Sequence, residues 1–242
     1  MGYHWDWGVF WQASPEGDGT YLDMLLQGLW TTLAVAALAW ALAFTLGSAV
    51  GVARGLPSAA ARRAAGAWIE LFRDVPLLVQ LFLWYFVLPE LLPAAWGAWL
   101  KRLPDAPFPT AVVGIGLFMS ARVAVQVAAG VAGLPRGQRA AGAALGLTLP
   151  QTYRYVLLPM AYRAVLPPLT SEMINTIKNT SVALTIGLAE LTARARAVQE
   201  FSFQVFEAFT AATLGYLAAN LAATLLMRLL ERRLRLPGYG AA

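Results

Sequence analysis

Residues Arg139–Pro168 read RAAGAALGLTLPQTYRYVLLPMAYRAVLPP, a stretch punctuated by three arginines, two glycines and four prolines. It interrupts a chain that otherwise suits hydrocarbon: 242 residues, 59% hydrophobic and 13% charged, with a mean hydropathy of +0.58. Such a composition lies off the pattern of soluble globular domains and places the chain in a membrane. Good helix formers run from Arg139 to Ala144, Gly146 offers a turn, Pro150 a helix start and Pro159 a helix stop. The stretch therefore reads as a short helix-turn-helix between spans. Tyr153 and Leu157 at four-residue spacing, with Tyr155 and Leu158 at three, suit one helix face docking into a protein groove. An interfacial helix lying on lipid fits the same residues.

Working outward, the spans follow from runs of uncharged residues. Between Asp23 and Arg54 lie 30 of them, enough to cross a bilayer with tilt. Gly47, Gly51 and Gly55 form a small-residue stripe near the end of this span, suited to close helix packing. A second span is expected over Trp68–Leu88, with Glu70, Arg73 and Asp74 at its interfacial or protein-buried start, and a third over Thr110–Leu134. A fourth, Leu166–Leu191, carries Glu172 and Lys178 and scores poorly by hydropathy. The fifth, Ala208–Met227, holds 20 uncharged residues between Glu207 and Arg228. The expected fold is an all-α integral membrane protein with five transmembrane helices. Residues 1–21 form an extracytoplasmic tail, 22–233 the transmembrane domain and 234–242 a cytoplasmic tail.

Arginine and lysine placement sets the orientation. Arg54, Arg62, Arg63, Arg136, Arg139, Arg154, Arg163, Arg228, Arg232, Arg233 and Arg235 fall on one side; Lys101, Arg102, Arg194 and Arg196 fall on the other. By the positive-inside rule the N-terminus is outside and the Arg139–Pro168 stretch is cytoplasmic. The net charge of +5 thus reads as topology, and no nucleic-acid partner is expected. The opening MGYHWDWGVFWQ lacks a basic n-region, so it does not read as a cleavable signal peptide, and its aromatic residues suit the outer membrane interface. His4 there reads as a surface residue.

With no cysteine and a single histidine, and with no phosphate loop, zinc-protease motif or nucleophile elbow, the sequence offers no constellation for catalysis. A transporter permease driven by separate subunits, a membrane enzyme of unfamiliar type and an anchor or assembly protein are the classes to separate. An anchor needs neither an arginine inside the third span nor a polar fourth helix, since each weakens insertion.

Several segments together resemble the bacterial ABC importer permeases for polar amino acids: GQRAAGAALG (137–146) followed by VLLP (156–159), ELFRDVPLLVQLF from Glu70, PRGQR from Pro135, and PPLTSEMINTIKNTSVALTIGLAELT (167–192). The first pair is similar to that family's cytoplasmic EAA loop, with Ala140 where the motif has its glutamate. In pattern the chain is most similar to the permeases of glutamate/aspartate importers, which share the ARVAVQVAAG style of third helix. The resemblance implies a multi-pass protein of the bacterial inner membrane that is not itself an enzyme. It implies no cofactor in this chain, ATP bound by a cytoplasmic ATPase subunit dimer, a second permease subunit (a heteromer favoured over a homodimer) and an extracytoplasmic substrate-binding protein. The coupling helix between helices 3 and 4 would use Ala140, Ala141, Gly142, Gly146, Pro150, Gln151, Thr152 and Tyr153.

For the transport route the candidates are Arg122 and Gln126, one helical turn apart, and the stripe of Asn175, Lys178 and Asn179, continuing from Ser171. An arginine within a span must be neutralised, either by a fixed carboxylate such as Glu172 or Asp74, or by one belonging to the substrate. Relatives importing basic amino acids tend to carry a glutamate at the position of Val125. Arg122 kept and that anion missing suits an acidic amino acid, with Lys178 available for its α-carboxylate. For the polar stripe, interhelical hydrogen bonding is the plainer use.

Overall fold

The computed structural model describes residues 3–17 and 19–234. Those residues are helical apart from turns and one isolated antiparallel bridge, Ala13 to Thr20. After a 3-10 turn at Trp7–Trp11 come α1 (Tyr21–Gly55), α2 (Ala59–Asp74), α3 (Leu77–Leu91), α4 (Ala94–Lys101), α5 (Pro107–Ala132) and α6 (Arg136–Ala144). The next helix, α7 (149–179), is followed by a 3-10 turn at Thr180–Ile186, then α8 (Leu191–Ser202) and α9 (Val205–Leu234). α1, α5 and α9 are each long and apolar enough to cross a membrane, and α2 with α3 makes a fourth candidate if the pair counts as one broken span. Of the expected C-terminal tail, all but Leu234 lies outside the described residues.

Two of the expected spans need correction. The second is two helices, because Pro76 has no N–H to give and its ring pushes the preceding residue out of the helical region; Val75 is extended, at φ −87 and ψ 127. Pro159 does not stop a helix. Leu149–Thr152 runs through a π turn at Tyr153–Leu157 into Leu158–Asn179, so the fourth apolar segment begins well before Leu166. At the π turn the Leu158 N–H donates to Tyr153 O, five residues back, and the next residue is the proline with no N–H. The same device recurs in α3, where the Leu88 N–H donates to Leu83 O immediately before Pro89. The prolines sit where the hydrogen-bond ladder changes step, which lets the helix continue.

The chain divides into two compact units. One draws on the chain up to Trp40, on Pro76–Gly116 and on Asn175–Ala222; the other on Ala41–Val75, on Leu117–Ile174 and on the chain from Ala223. In the first, Val9, Tyr21, Met24, Leu25, Leu191, Ala195, Val198, Ala208 and Ala212 form a buried cluster. Glu190 and Glu207, fully buried carboxylates at or near helix starts, are both hydrogen-bonded there. Glu190 caps α8 by accepting from the Ala193 N–H at 2.8 Å, and Tyr216 donates to its other oxygen. Glu207, in the first turn of α9, accepts from the Asp6 N–H at 2.7 Å and from the Tyr3 hydroxyl, tying the N-terminal segment down.

In the second unit α1 meets α5 backbone to backbone. A Cβ on Gly47 would lie 2.5 Å from Ser120 O, and one on Gly51 2.7 Å from Ala124 O. The glycine stripe thus sets how closely the helices approach. Trp68 of α2 donates its indole N–H to the buried Ser120 Oγ at 3.0 Å, seating α2 on the same turn of α5. On another turn of α5, a Cβ on Gly130 would lie 3.2 Å from Ala161 O, so α7 also packs closely. Gly51→Leu is expected to destabilise the folded protein by about 3 kcal/mol or more, since the backbone facing it cannot step aside. Gly137→Leu, at a position with nothing within 4 Å, serves as the neutral control. Thermal unfolding of both in detergent checks this.

Candidate functional site

The α6–α7 elbow is built from its caps. Gly146 stands at φ +71, and the Leu147 N–H donates to Gly142 O at 3.1 Å while the Gly146 N–H donates to Ala143 O at 3.0 Å. Together these close α6 with a Schellman motif, which places a left-handed residue at this position. Thr148 then opens α7: its N–H donates to Gln151 Oε1 at 2.8 Å, and Pro150 occupies the first turn, where a missing N–H costs nothing. Gly142 lets the two arms touch, since a Cβ there would lie 2.9 Å from Thr152 Cγ2.

Tyr153 fastens the elbow to α1. Its hydroxyl donates to Gly55 O, the last residue of α1, at 2.7 Å and accepts from Arg139 Nη2 at 3.1 Å, with the guanidinium also over the ring. The expectation that Tyr153 and Leu157 present a docking face is corrected: both are buried with Val131 and Ala161 in the chain's own core. Thr152 is buried as well. The outward surface is instead made by Ala140, Ala141, Pro150 and Gln151, with the apolar Leu145, Leu149 and Tyr155. The sequence signal for this was present in Leu145, the apolar residue beside the turn glycine.

Within the same unit, α5 and α7 are joined by an ion pair. Arg122 Nε lies 2.6 Å from Glu172 Oε2, and Nη2 lies 3.3 Å from Oε1, a two-point contact in which Glu172 is buried and the Arg122 side chain is 39% exposed. Of the two fixed carboxylates the sequence offered, Glu172 is the one engaged, and position 125 is a valine with no charge to add. Gln126, one turn along α5, is half-buried. Asn175 and Asn179 are half-buried and Lys178 exposed on the last turns of α7, which belong to the first unit.

A groove of about 650 Å³ opens in the second unit between the ends of α1, α2, α5 and α6. Arg54, Glu70, Arg73 and Arg139 are exposed at it, over walls that include Gly66, Ile69, Val125, Ala129 and Ala132. The spacing of Gly66, Ile69, Glu70 and Arg73 marks one face of α2, a pattern the reading of a single straight span concealed. Among the described residues there is no cluster able to hold a metal ion.

These features define a class. Residues 43–236 match the model of the binding-protein-dependent transport system inner membrane component, and the chain belongs to that family of membrane transport components. It is 46% identical over 241 residues to the glutamate/aspartate import permease protein GltJ of Escherichia coli, covering 98% of each chain. It is 34% identical over 231 residues to the glutamine transport system permease protein GlnP of Escherichia coli, covering 96% of this chain and 98% of that one. Among solved structures it is similar to an amino acid ABC transporter crystallised with histidines, with a TM-score of 0.74, 29% identity and coverage of 88% of this chain and 95% of that one. The MetNI methionine ABC transporter, with a TM-score of 0.75 and 20% identity over 89% of this chain and 98% of that one, shares the fold.

Gly146→Val is expected to cost about 1–2 kcal/mol in unfolding stability, because a β-branched residue resists the left-handed conformation, and Gly146→Asn distinctly less. A double-mutant cycle of Arg122→Gln and Glu172→Gln, read by thermal unfolding, is expected to give a coupling of about 1–2 kcal/mol, moderated by the exposure of the arginine.

Proposed function

We propose that this chain is the transmembrane permease subunit of an ATP-driven importer for acidic amino acids, glutamate or aspartate, in the bacterial cytoplasmic membrane. The observation that carries this reading is the 46% identity to GltJ over 98% of both chains. On this reading five segments cross the bilayer: α1, α2 with α3, α5, α7 and α9. The transmembrane domain is 22–233, the 1–21 tail is outside, and the elbow and the 234–242 tail face the cytoplasm.

ATP is bound and hydrolysed by a separate pair of ATPase subunits. The exposed elbow, from Ala140 and Ala141 through Gly146 to Gln151, rests in a groove of an ATPase subunit, and Leu145, Leu149 and Tyr155 supply the apolar contact. Gly142, Thr152 and Tyr153 act from inside, keeping the elbow rigid and attached to α1. Closure of the ATPase pair moves this rigid joint and exchanges outward- and inward-facing states. An extracytoplasmic binding protein delivers the substrate, and a second permease chain, a different one by preference, completes the channel.

Arg122 is the substrate's partner. Its partly exposed guanidinium releases Glu172 and takes the side-chain carboxylate of the amino acid, a bidentate exchange of one carboxylate for another. Gln126 stands one turn away on the same face. Asn175, Lys178 and Asn179 belong to the route or to the seam between permease subunits, with Lys178 suited to the α-carboxylate.

A second reading, glutamine import, is favoured by the likeness to GlnP. Proteoliposomes holding the complete transporter and its binding protein separate the two: glutamate, and not glutamine, is expected to drive uptake and stimulate ATP hydrolysis. Arg122→Ala is expected to abolish both responses while the amount of assembled complex stays unchanged. Loss of assembly instead would make Arg122 a structural residue only.

A further inference from the structure

Arg122 shares its face of α5 with the walls of the basic groove. Val125, Ala129 and Ala132 follow it at three, seven and ten residues, so one stripe runs from the Arg122–Glu172 pair into the groove over about 15 Å. Both places have the same chemistry, guanidinium beside a single carboxylate. At the groove there are three guanidiniums, Arg54, Arg73 and Arg139, against one carboxylate, Glu70, a surplus of two positive charges. Among the described residues none of Arg54, Glu70 and Arg73 is in an ion pair. Arg139 is held in place by Tyr153.

From this juxtaposition we infer that the groove formed by Arg54, Arg73, Arg139 and Glu70 is a second, weaker station for an anionic amino acid, occupied as the substrate leaves Arg122 toward the cytoplasm. The inference rests on the importer reading proposed above. The charges complement the ligand, with Glu70 available to its ammonium and the three guanidiniums more than enough for its two carboxylates. A dicarboxylic amino acid carries two carboxylates and one ammonium, which call for guanidinium forks and one acceptor carboxylate. An amide side chain leaves a further guanidinium without a counter-charge, so glutamine binds less well. The small walls keep the groove wide enough for a hydrated solute, and its charged groups are exposed, so binding is weak and exchange fast. A station of this kind suits release better than capture.

The test is equilibrium binding of L-glutamate and of L-glutamine to the nucleotide-free assembled transporter in phosphatidylcholine nanodiscs, without its binding protein. The wild type is expected to show two glutamate-binding events per copy of this chain, the weaker one about tenfold less responsive to glutamine. Arg54→Gln with Arg73→Gln should remove the weaker event and spare the tighter one, whereas Arg122→Gln should do the reverse. Ala129→Trp, which fills the groove without altering its charges, should also remove the weaker event and guards against a charge variant that assembles badly. A single glutamate event indifferent to both groove variants overturns the inference and leaves the importer reading intact. Suppression of the weaker event by phosphatidylglycerol at a few molecules per transporter also overturns it, assigning the groove to a lipid headgroup. Preference for glutamine in the tighter event overturns the acidic-substrate reading itself.

Discussion

The second unit depends on a contact between backbones. At Gly47 and Gly51 the surface of α1 is bare peptide, and α5 lies against it so closely that its carbonyls occupy the space a side chain would need. In hydrocarbon there is no hydrophobic gain from pressing two apolar helices together, so close packing supplies the attraction. That approach fixes the turn of α5 at Ser120, Val123 and Ala124, and with it the direction of the neighbouring Arg122. The seating of Trp68 on Ser120 and the close packing of α7 at Gly130 complete the framework that holds Glu172 opposite the arginine.

Much of this was legible in residue order, for a physical reason in each case. The long apolar helices α1, α5 and α9 were plain because length and composition decide whether a helix tolerates a bilayer, and both are local properties. Gly146 was plain because a left-handed turn after a run of helix formers has few other solutions. The resemblance to the importer permeases pointed to the family that the chain belongs to.

Direction was what the residues hid. Tyr153 and Leu157 are spaced for a docking face and equally for a core, and the core took them because Val131 of α5 is buried with them and Ala161, one turn on along α7, continues the same face. Pro76 and Pro159 look alike in sequence and act oppositely. One breaks a helix, while the other follows a π turn that has already shifted the ladder. The counter-ion of Arg122 could be narrowed to a few carboxylates, but the choice of Glu172 depends on a helix crossing that no local pattern encodes.

The π turn in α7 also has a geometric reach beyond its own five residues. By inserting one residue into the helix it turns everything after it by about 100° relative to an uninterrupted α-helix. Glu172 lies some four turns further on, so its alignment with Arg122 is set partly by spacing near the elbow and not only by its immediate neighbours. Length between Thr148 and Pro159 is thus a constraint in its own right: removing a single residue there would keep every side chain of the pair and still turn the carboxylate away from the guanidinium.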